Sequence, residues 1–276
     1  MDDLCKLTSK LFKVSGHETR IEILKILKEE DKTAKSLAKL LDISEQYMHR
    51  HLNRLSEEGL IKKDQKNFLL SSSGRIFLNS LRGIEVIAKY NDFWGDHSLL
   101  GFPESLIDGI ATLKNTELIS SAPKVLNKII TQTSNSNKRI LAATDRVPRF
   151  LVPNIFEVIE GRGIEVYSLI RDLPPDQKSR YWHEFLNSAE MKTIPIEKDR
   201  YRNKFLQVFK LQRSTPIENL YMGIFIVDDK EAGIIFPDNK GSLDWDYAIC
   251  GKDQDFISWA EKNFWYMYEK GKAAWP

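Results

Sequence analysis

Asp42-Ile43-Ser44-Glu45-Gln46-Tyr47-Met48-His49-Arg50-His51-Leu52-Asn53-Arg54-Leu55-Ser56-Glu57-Glu58-Gly59-Leu60-Ile61 is the stretch on which the fold turns. Asp42-Ile43-Ser44 reads as a three-residue connector, and Ser44 can cap a helix over 45–58 by accepting a backbone N–H of its first turn. Gly59 supplies the stop, because glycine enters the left-handed region without a Cβ clash. Met48, Leu52 and Leu55 recur at helical spacing and define one apolar face. The other face carries Glu45, Gln46, Tyr47, His49, Arg50, Asn53 and Arg54. Such a helix needs an apolar partner on one side and leaves the other side to solvent or a polar ligand.

The flanking sequence supplies that partner. Thr33 can cap a short helix carrying Leu37, Ala38, Leu40 and Leu41. Leu37, Leu40 and Leu41 are expected to pack on Met48, Leu52 and Leu55, which sets the angle at which the second helix projects. Earlier, Leu4, Leu7, Leu11, Phe12 and Val14 mark one helix, and Ile21, Ile23, Leu24, Ile26 and Leu27 mark another, with Ser15-Gly16 as the break. Residues 60–63, 64–67 and 68–70 read as strand, polar turn and strand. A long helix follows from Ser72 to about Tyr90.

Helix, three-residue turn, helix and hairpin make a winged helix-turn-helix. In that arrangement the polar face enters a DNA major groove about 12 Å wide, where Gln46 and Arg50 can make bidentate contacts with base edges. Tyr47, His49 and Arg54 share that face. Lys62, Lys63, Lys66 and Asn67 would lie against the DNA backbone or minor groove. Lys35, near the start of the first helix, can reach a phosphate, as can backbone N–H groups there, and Ser44 belongs to the same DNA-facing set. His49 and His51 flank Arg50, but their i, i+2 spacing sends them to different faces, so no metal pair is expected and His51 should be partly packed.

Composition and charge bound the alternatives. The 276 residues are 42% hydrophobic and 29% charged, which suits a globular chain with apolar mass for two cores. No apolar run approaches the roughly 18 residues that span a bilayer, and 220–227 is interrupted by Gly223. The acidic start, Met1-Asp2-Asp3, is unlike a signal peptide, so a cytoplasmic location is expected. Cys5 and Cys250 form neither a disulfide framework nor a thiolate metal site by themselves. The net charge of +2 divides unevenly: residues 1–91 hold 17 Lys+Arg against 13 Asp+Glu, and 92–276 hold 24 against 26. The basic excess on the N-terminal piece fits a polyanionic partner.

Beyond residue 91, where the domain boundary is expected, the period changes. Strands over 138–144 and 163–171 flank an apolar helix over 152–161, a strand–helix–strand unit that predicts a mainly parallel sheet. Two further strands, 220–228 and 231–236, precede a helix over 256–270 with Phe256, Trp259, Ala260, Phe264 and Met267 at core spacing. The fold class is therefore α+β, with an N-terminal winged helix-turn-helix over 1–91 and an α/β domain for sensing and association over 92–276. Aromatic residues, among them Tyr167, Trp182, Trp245 and Tyr247, suit either the walls of a ligand pocket or a core and dimer interface. Arg146 follows a strand at the end where α/β domains bind ligands. Trp94, His97, Arg146, Tyr167 and Trp245 are the candidate ligand-binding residues, and the basic run over 178–213 is either a solvated face or an anion site.

The stretch from Asp42 to Ile61 resembles the recognition segment of bacterial and archaeal ArsR/MarR-type winged-helix regulators. Leu70-Ser71-Ser72-Ser73-Gly74-Arg75 resembles the strand-to-helix step after the wing in those families. Phe93-Trp94-Gly95-Asp96-His97, Gly101-Phe102-Pro103-Glu104-Ser105-Leu106, Ile235-Phe236-Pro237-Asp238 and Phe256-Ile257-Ser258-Trp259-Ala260 are similar to the effector domain of methanogenesis regulatory proteins. The resemblance implies an archaeal transcription regulator whose sensor domain is related in fold to phospholipase D-like domains. The chain lacks the paired cysteines of metal-sensing ArsR proteins and the His-x-Lys-x4-Asp motif of phospholipase D, so neither chemistry carries over. Double-stranded DNA, a second copy of the chain and a small-molecule effector are the expected partners, with no cofactor and no membrane. Two alternatives stand beside this reading. One is a winged helix used for protein contacts. The other is a metal-dependent phosphodiester hydrolase built on Asp228, Asp229, Asp238, Asp244 and Asp246, residues that turn chemistry explains more simply.

Overall fold

The computed structural model describes residues 3–99, 101–145, 162–172, 212–215 and 220–273. Two compact units, Met1–Ile84 and Glu85–Pro276, divide inside one helix. The first unit contains α1 (Asp3–Ser15), α2 (Glu18–Glu29), β1 (Lys32–Thr33), α3 (Ala34–Leu40), α4 (Glu45–Glu57), β2 (Ile61–Asp64) and β3 (Asn67–Leu70). Helix α5 (Ser72–Lys89) begins there and ends in the second unit.

Local chemistry accounts for the helix ends. Thr33 caps α3 by accepting the Ser36 N–H at 3.1 Å, and Ser44 caps α4 by accepting the Tyr47 N–H at 3.2 Å. Between them Asp42 takes a positive φ of 52°, and the Ile43 N–H returns to the Ala38 carbonyl at 3.0 Å, which closes the turn. At the far end of α4 Gly59 has φ +69°. Its N–H reaches the Ser56 carbonyl and the Leu60 N–H reaches the Leu55 carbonyl, each at 2.9 Å, the paired bonds of a Schellman stop. Ser71 then caps α5, accepting the Gly74 N–H at 2.9 Å. A Cβ on Gly74 would lie 2.1 Å from the Leu60 carbonyl oxygen, so only glycine lets the helix start this close to the hairpin.

Ile23, Leu24, Leu37, Met48, Leu52 and Leu55 form the core of this unit, each wholly buried. The expected α3–α4 packing holds for Leu37 but needs correcting at Leu40, which is 59% exposed, while Leu41 is only partly buried. Ala34 and Ala38 take the inner face instead, because their small side chains let the short helix lie close to α4. The wing has a third strand that the hairpin reading lacked: β1 pairs antiparallel with β3, with Lys32 opposite Phe68 and Thr33 opposite Asn67.

The second unit runs α6 (Asn91–Asp96), α7 (Glu104–Ile107), a 3-10 helix (Asp108–Asn115), β4 (Glu117–Ser120), α8 (Ala122–Ser134), β5 (Arg139–Thr144) and β6 (Glu165–Arg171). It continues with β7 (Gln212–Thr215), β8 (Gly223–Val227), β9 (Glu231–Ile235), β10 (Tyr247–Gly251), α9 (Gln254–Lys270) and β11 (Lys272–Ala273), labels being assigned among the described residues. The eight strands make one sheet in the order β11-β7-β6-β5-β8-β9-β10-β4. Among the described residues β5–β6 and β6–β7 pair parallel, and the other five pairings are antiparallel. The mainly parallel sheet expected from sequence is thus corrected to a mixed one. The hairpin turn at Asp228-Asp229, both at positive φ, brings β9 back beside β8 and reverses the strand direction. The helix expected over 152–161 lies outside the described residues.

Side chains alternate across the sheet. Leu141 and Leu169 face α9 and join Phe256, Phe264 and Met267 in the main core, so the core stripe expected on α9 is observed. Ile140, Val166 and Val227 form a smaller cluster on the opposite face. Asp228 ties the sheet together from a buried position. Its carboxylate accepts the Ser136 hydroxyl at 3.0 Å and the N–H groups of Asn137, Lys138 and Arg139 at 2.8, 2.7 and 3.2 Å. Burial pushes its carboxyl upward, but these four donors outweigh that and hold it below the usual carboxylate range.

Candidate nucleic-acid interface

Helix α4 presents the two faces its sequence requires. Met48, Leu52 and Leu55 are wholly buried, and Gln46, His49, Arg50, Asn53 and Arg54 are exposed on the other side. Arg54 meets Glu57 one turn on at 3.4 Å, a solvated pair that leaves the guanidinium able to exchange partners. Lys35 and Ser44 are exposed at the starts of α3 and α4. Lys62, Lys63, Lys66 and Asn67 are exposed on the β2–β3 hairpin, where Asp64 pairs with Asn67 across a two-residue turn and Gln65 takes φ 51°. Lys63 also lies 5.8 Å from the Phe68 ring centroid, so its stem covers the apolar side of the wing.

His51 is packed, as expected, and more completely than its spacing implied; the structure also adds two residues that sequence did not single out. His51 is 5% exposed, and its Nε2 is buried without a hydrogen-bond partner among the described residues. It sits between His17, with ring centroids 4.6 Å apart, and Tyr47, at 4.4 Å edge-on. Burial lowers its affinity for a proton, and the proximity of His17 and Arg20 lowers it further. His17 caps α2 by accepting the Thr19 N–H on Nδ1 at 3.3 Å. A neutral His17 therefore carries its proton on Nε2, which faces the Tyr47 hydroxyl at 3.2 Å. Arg20 has a depressed pKa through burial and then through Arg54, with Tyr47 acting the other way. Tyr47 is thereby held from two sides, by a ring contact to His51 and a hydroxyl contact to His17. A histidine at a helix cap is a weak sequence signal, and nothing in the spacing of α2 reveals that Arg20 lies close enough to α4 for the charge of Arg54 to act on it.

The candidate ligand residues of the second unit are dispersed. Trp94 is half-buried beside Phe236, with ring centroids 5.2 Å apart. His97 is buried, stacked on Phe93 at 3.7 Å, with Nδ1 2.7 Å from the Phe93 carbonyl and Nε2 3.3 Å from an Asp244 carboxylate oxygen. The pairing of His97 with Asp238 brings together two motifs that lie far apart in sequence, Phe93–His97 and Ile235–Asp238. Tyr167 packs against Trp265 and Tyr268 of α9. Trp245 stands on the other face of the sheet and donates its indole N–H to Asp145 at 3.0 Å. Arg146, Trp182 and most of the basic run over 178–213 lie outside the described residues.

The acidic residues considered for hydrolysis are engaged in local structure. Asp228 binds the turn before β5, and Asp229 pairs with Arg139 at 2.5 Å. Asp238 accepts the Lys240 and Ser242 N–H groups, Asp244 accepts that of Asp246, and Asp246 accepts that of Ala122. Among the described residues no group of three His, Cys, Asp or Glu side chains could hold a metal ion, and no helix is long and apolar enough to cross a membrane.

The class that the first unit defines is the winged helix-turn-helix, joined in this chain to a mixed-sheet domain in an α+β architecture. A family model described as a helix-turn-helix domain matches residues 16–64, from the start of α2 to the end of β2. No curated protein sequence matches the chain. Among solved structures it is similar to TrmBL2, an archaeal chromatin protein, at 12% identity over 88% of each chain with a TM-score of 0.39. It is also similar to NucT from Helicobacter pylori, at 14% identity over 57% of this chain and 98% of that one, TM-score 0.37. Nuc from Salmonella typhimurium, a phospholipase D family member, is 10% identical over 57% of this chain and 95% of its own, TM-score 0.34. At these scores the likenesses define neither ligand nor activity.

Proposed function

We propose that this chain is a sequence-specific DNA-binding transcription regulator whose second unit receives a small-molecule or protein signal. The observation that carries the reading is the division of α4: three wholly buried apolar side chains fix its pose, and Gln46, His49, Arg50 and Asn53 project from the opposite side. Arg and Gln on a projecting helix match the donor and acceptor pattern of base edges in the major groove. The exposed lysines of the hairpin supply charge for the phosphate backbone beside it. Lys35, Ser44, Tyr47 and Arg54 complete the DNA-facing set, with Tyr47 acting through the brace it forms with His17 and His51.

The same reading includes a homodimer, since one helix reads only a few base pairs and two-fold pairing would supply the rest. Exposed apolar side chains that a second copy would cover are Leu7 on α1, at 60%, and Ile76 on α5, at 69%. Helix α5 continues from the wing into the second unit, so it is the element through which a signal would shift the placement of the two recognition helices. The sequence resemblance alone supports placing the chain with the ArsR/MarR-type regulators of archaea, and a cytoplasmic location goes with a DNA-binding role. In vitro selection with the purified full-length protein, with and without a metabolite extract, tests the reading. It should enrich a two-fold symmetric site with half-sites about 34–36 Å apart. Failure to enrich any sequence would overturn it in favour of a protein-contact role.

A further inference from the structure

On the face of the sheet opposite α9, the described residues leave space between the strands and helix α8. Helix α8 closes one side of it, and between the helix and the strands lies a cavity of about 920 Å3 including its mouth. Its floor is built from small side chains on adjacent strands: Ala142 of β5, Gly223 of β8, Gly233 of β9 and Ala248 of β10. Trp245 also lines it and donates its indole N–H to Asp145.

Small residues alone make no site, but the polar groups at this one are arranged for a ligand. Ser168 of β6 lines the cavity opposite Ala142, is 6% exposed, and has no hydrogen-bond partner for its hydroxyl among the described residues. A buried hydroxyl without a partner is unfavourable unless a ligand supplies one. Lys128 of α8 also lines the cavity, but its ammonium is paired with Glu231 at 2.5 Å. Burial would raise the Glu231 carboxyl, yet the hydrogen bond and charge of Lys128 keep it low and the pair ionised. Burial pushes the Cys250 thiol up to about 12, so it faces the cavity neutral. Each charge at the wall is matched inside the protein, and a charged ligand would enter an apolar space with no counter-charge.

We infer that this cavity binds an uncharged, largely apolar small molecule bearing one hydrogen-bond acceptor, such as a ketone or ester carbonyl, which the Ser168 hydroxyl meets. Its regulatory meaning rests on the proposed function, because a molecule wedged between α8 and the sheet would be the signal that the second unit receives. The existence of the site is tested without DNA. Acetophenone and ethylbenzene are nearly matched in shape and differ in the carbonyl oxygen. Ligand-observed NMR with the full-length protein should show both binding, with acetophenone favoured several-fold, as one net hydrogen bond supplies. Ser168→Ala should abolish that preference while leaving the melting temperature of the free protein unchanged or raised, a combination that a purely structural serine would not give. Ala142→Phe should weaken both probes at least tenfold. If that variant does not fold, intermolecular NOEs from the probe to the methyl groups of Ala142, Val166 and Ala248 in the wild-type protein decide the matter.

Absence of binding at millimolar probe, equal affinities in wild type and Ser168→Ala, or NOEs to other methyl groups would overturn the inference. So would a crystal structure of the free protein with the cavity filled by its own residues. Probe binding in a protein that selects no DNA would retain the site and remove the regulator, whereas DNA selection without probe binding would do the reverse.

Discussion

Replacing Arg50 by alanine separates a role in reading DNA from a role within the fold. Arg50 is exposed on the outer face of α4 and enters no ion pair or side-chain hydrogen bond among the described residues. Alanine is also the better helix former, so the variant should keep its folding free energy within about 0.5 kcal/mol of the parent. Removing a side chain that reads a base in the major groove costs about 1–3 kcal/mol, which is roughly 5- to 150-fold in affinity for the preferred site. Affinity for a scrambled duplex should change far less, since the arginine finds no matching base there to begin with. Leu52→Ala is the contrasting case. That side chain is wholly buried, so truncation should cost about 2–5 kcal/mol of stability and remove all DNA binding by unfolding the unit. Fluorescence anisotropy against the selected site and a scrambled duplex at one salt concentration, with denaturant melts of each variant, gives every quantity. An Arg50→Ala protein that is folded and keeps the parent's ratio of specific to scrambled affinity would refute the placement of this face in the groove.

Lys63→Ala and Lys66→Ala should weaken binding to all sequences alike and reduce the slope of log affinity against log salt by about one unit each, measured over a salt titration. His51 should make the first unit less stable in acid. Burial, with His17 and Arg20 beside it, lets the native state bind fewer protons at this ring than the unfolded chain does. Stability is then full above the ordinary histidine range and falls as pH drops through it, and His51→Phe should flatten that dependence between about pH 7.5 and 5. Asp228→Ala should cost the second unit on the order of 3 kcal/mol, because three backbone N–H groups and the Ser136 hydroxyl lose their acceptor. With its carboxyl held low in the fold, the stabilisation from Asp228 is present above the ordinary carboxylate pKa and lost below it, so wild type and variant should converge in strong acid.

What could be read from sequence follows from which interactions are local. The caps at Thr33 and Ser44, the stop at Gly59 and the apolar rows of α4 and α9 involve residues within a few positions of each other, and each was readable from spacing. The three-stranded wing was not, because two residues, Lys32 and Thr33, carry too little pattern to announce a strand; β3 lends them its edge. In the second unit β4 and β10 escaped for a related reason. Each is short and finds its partner across a long stretch of chain, as Cys250 does opposite Glu117.

The amino-acid sequence by itself determined that α4 has a buried side and a polar side, and that a basic hairpin stands next to it. Those properties follow from periodicity, and periodicity is a property of neighbours. Only the tertiary structure decided that the sheet is mixed, that Leu40 faces water, that His17 and Arg20 reach the recognition helix, and that Ser168 looks into a cavity with its hydroxyl unmet. Each of these depends on which distant segments come together, and that is set by the summed packing of the whole unit rather than by any stretch that can be read alone.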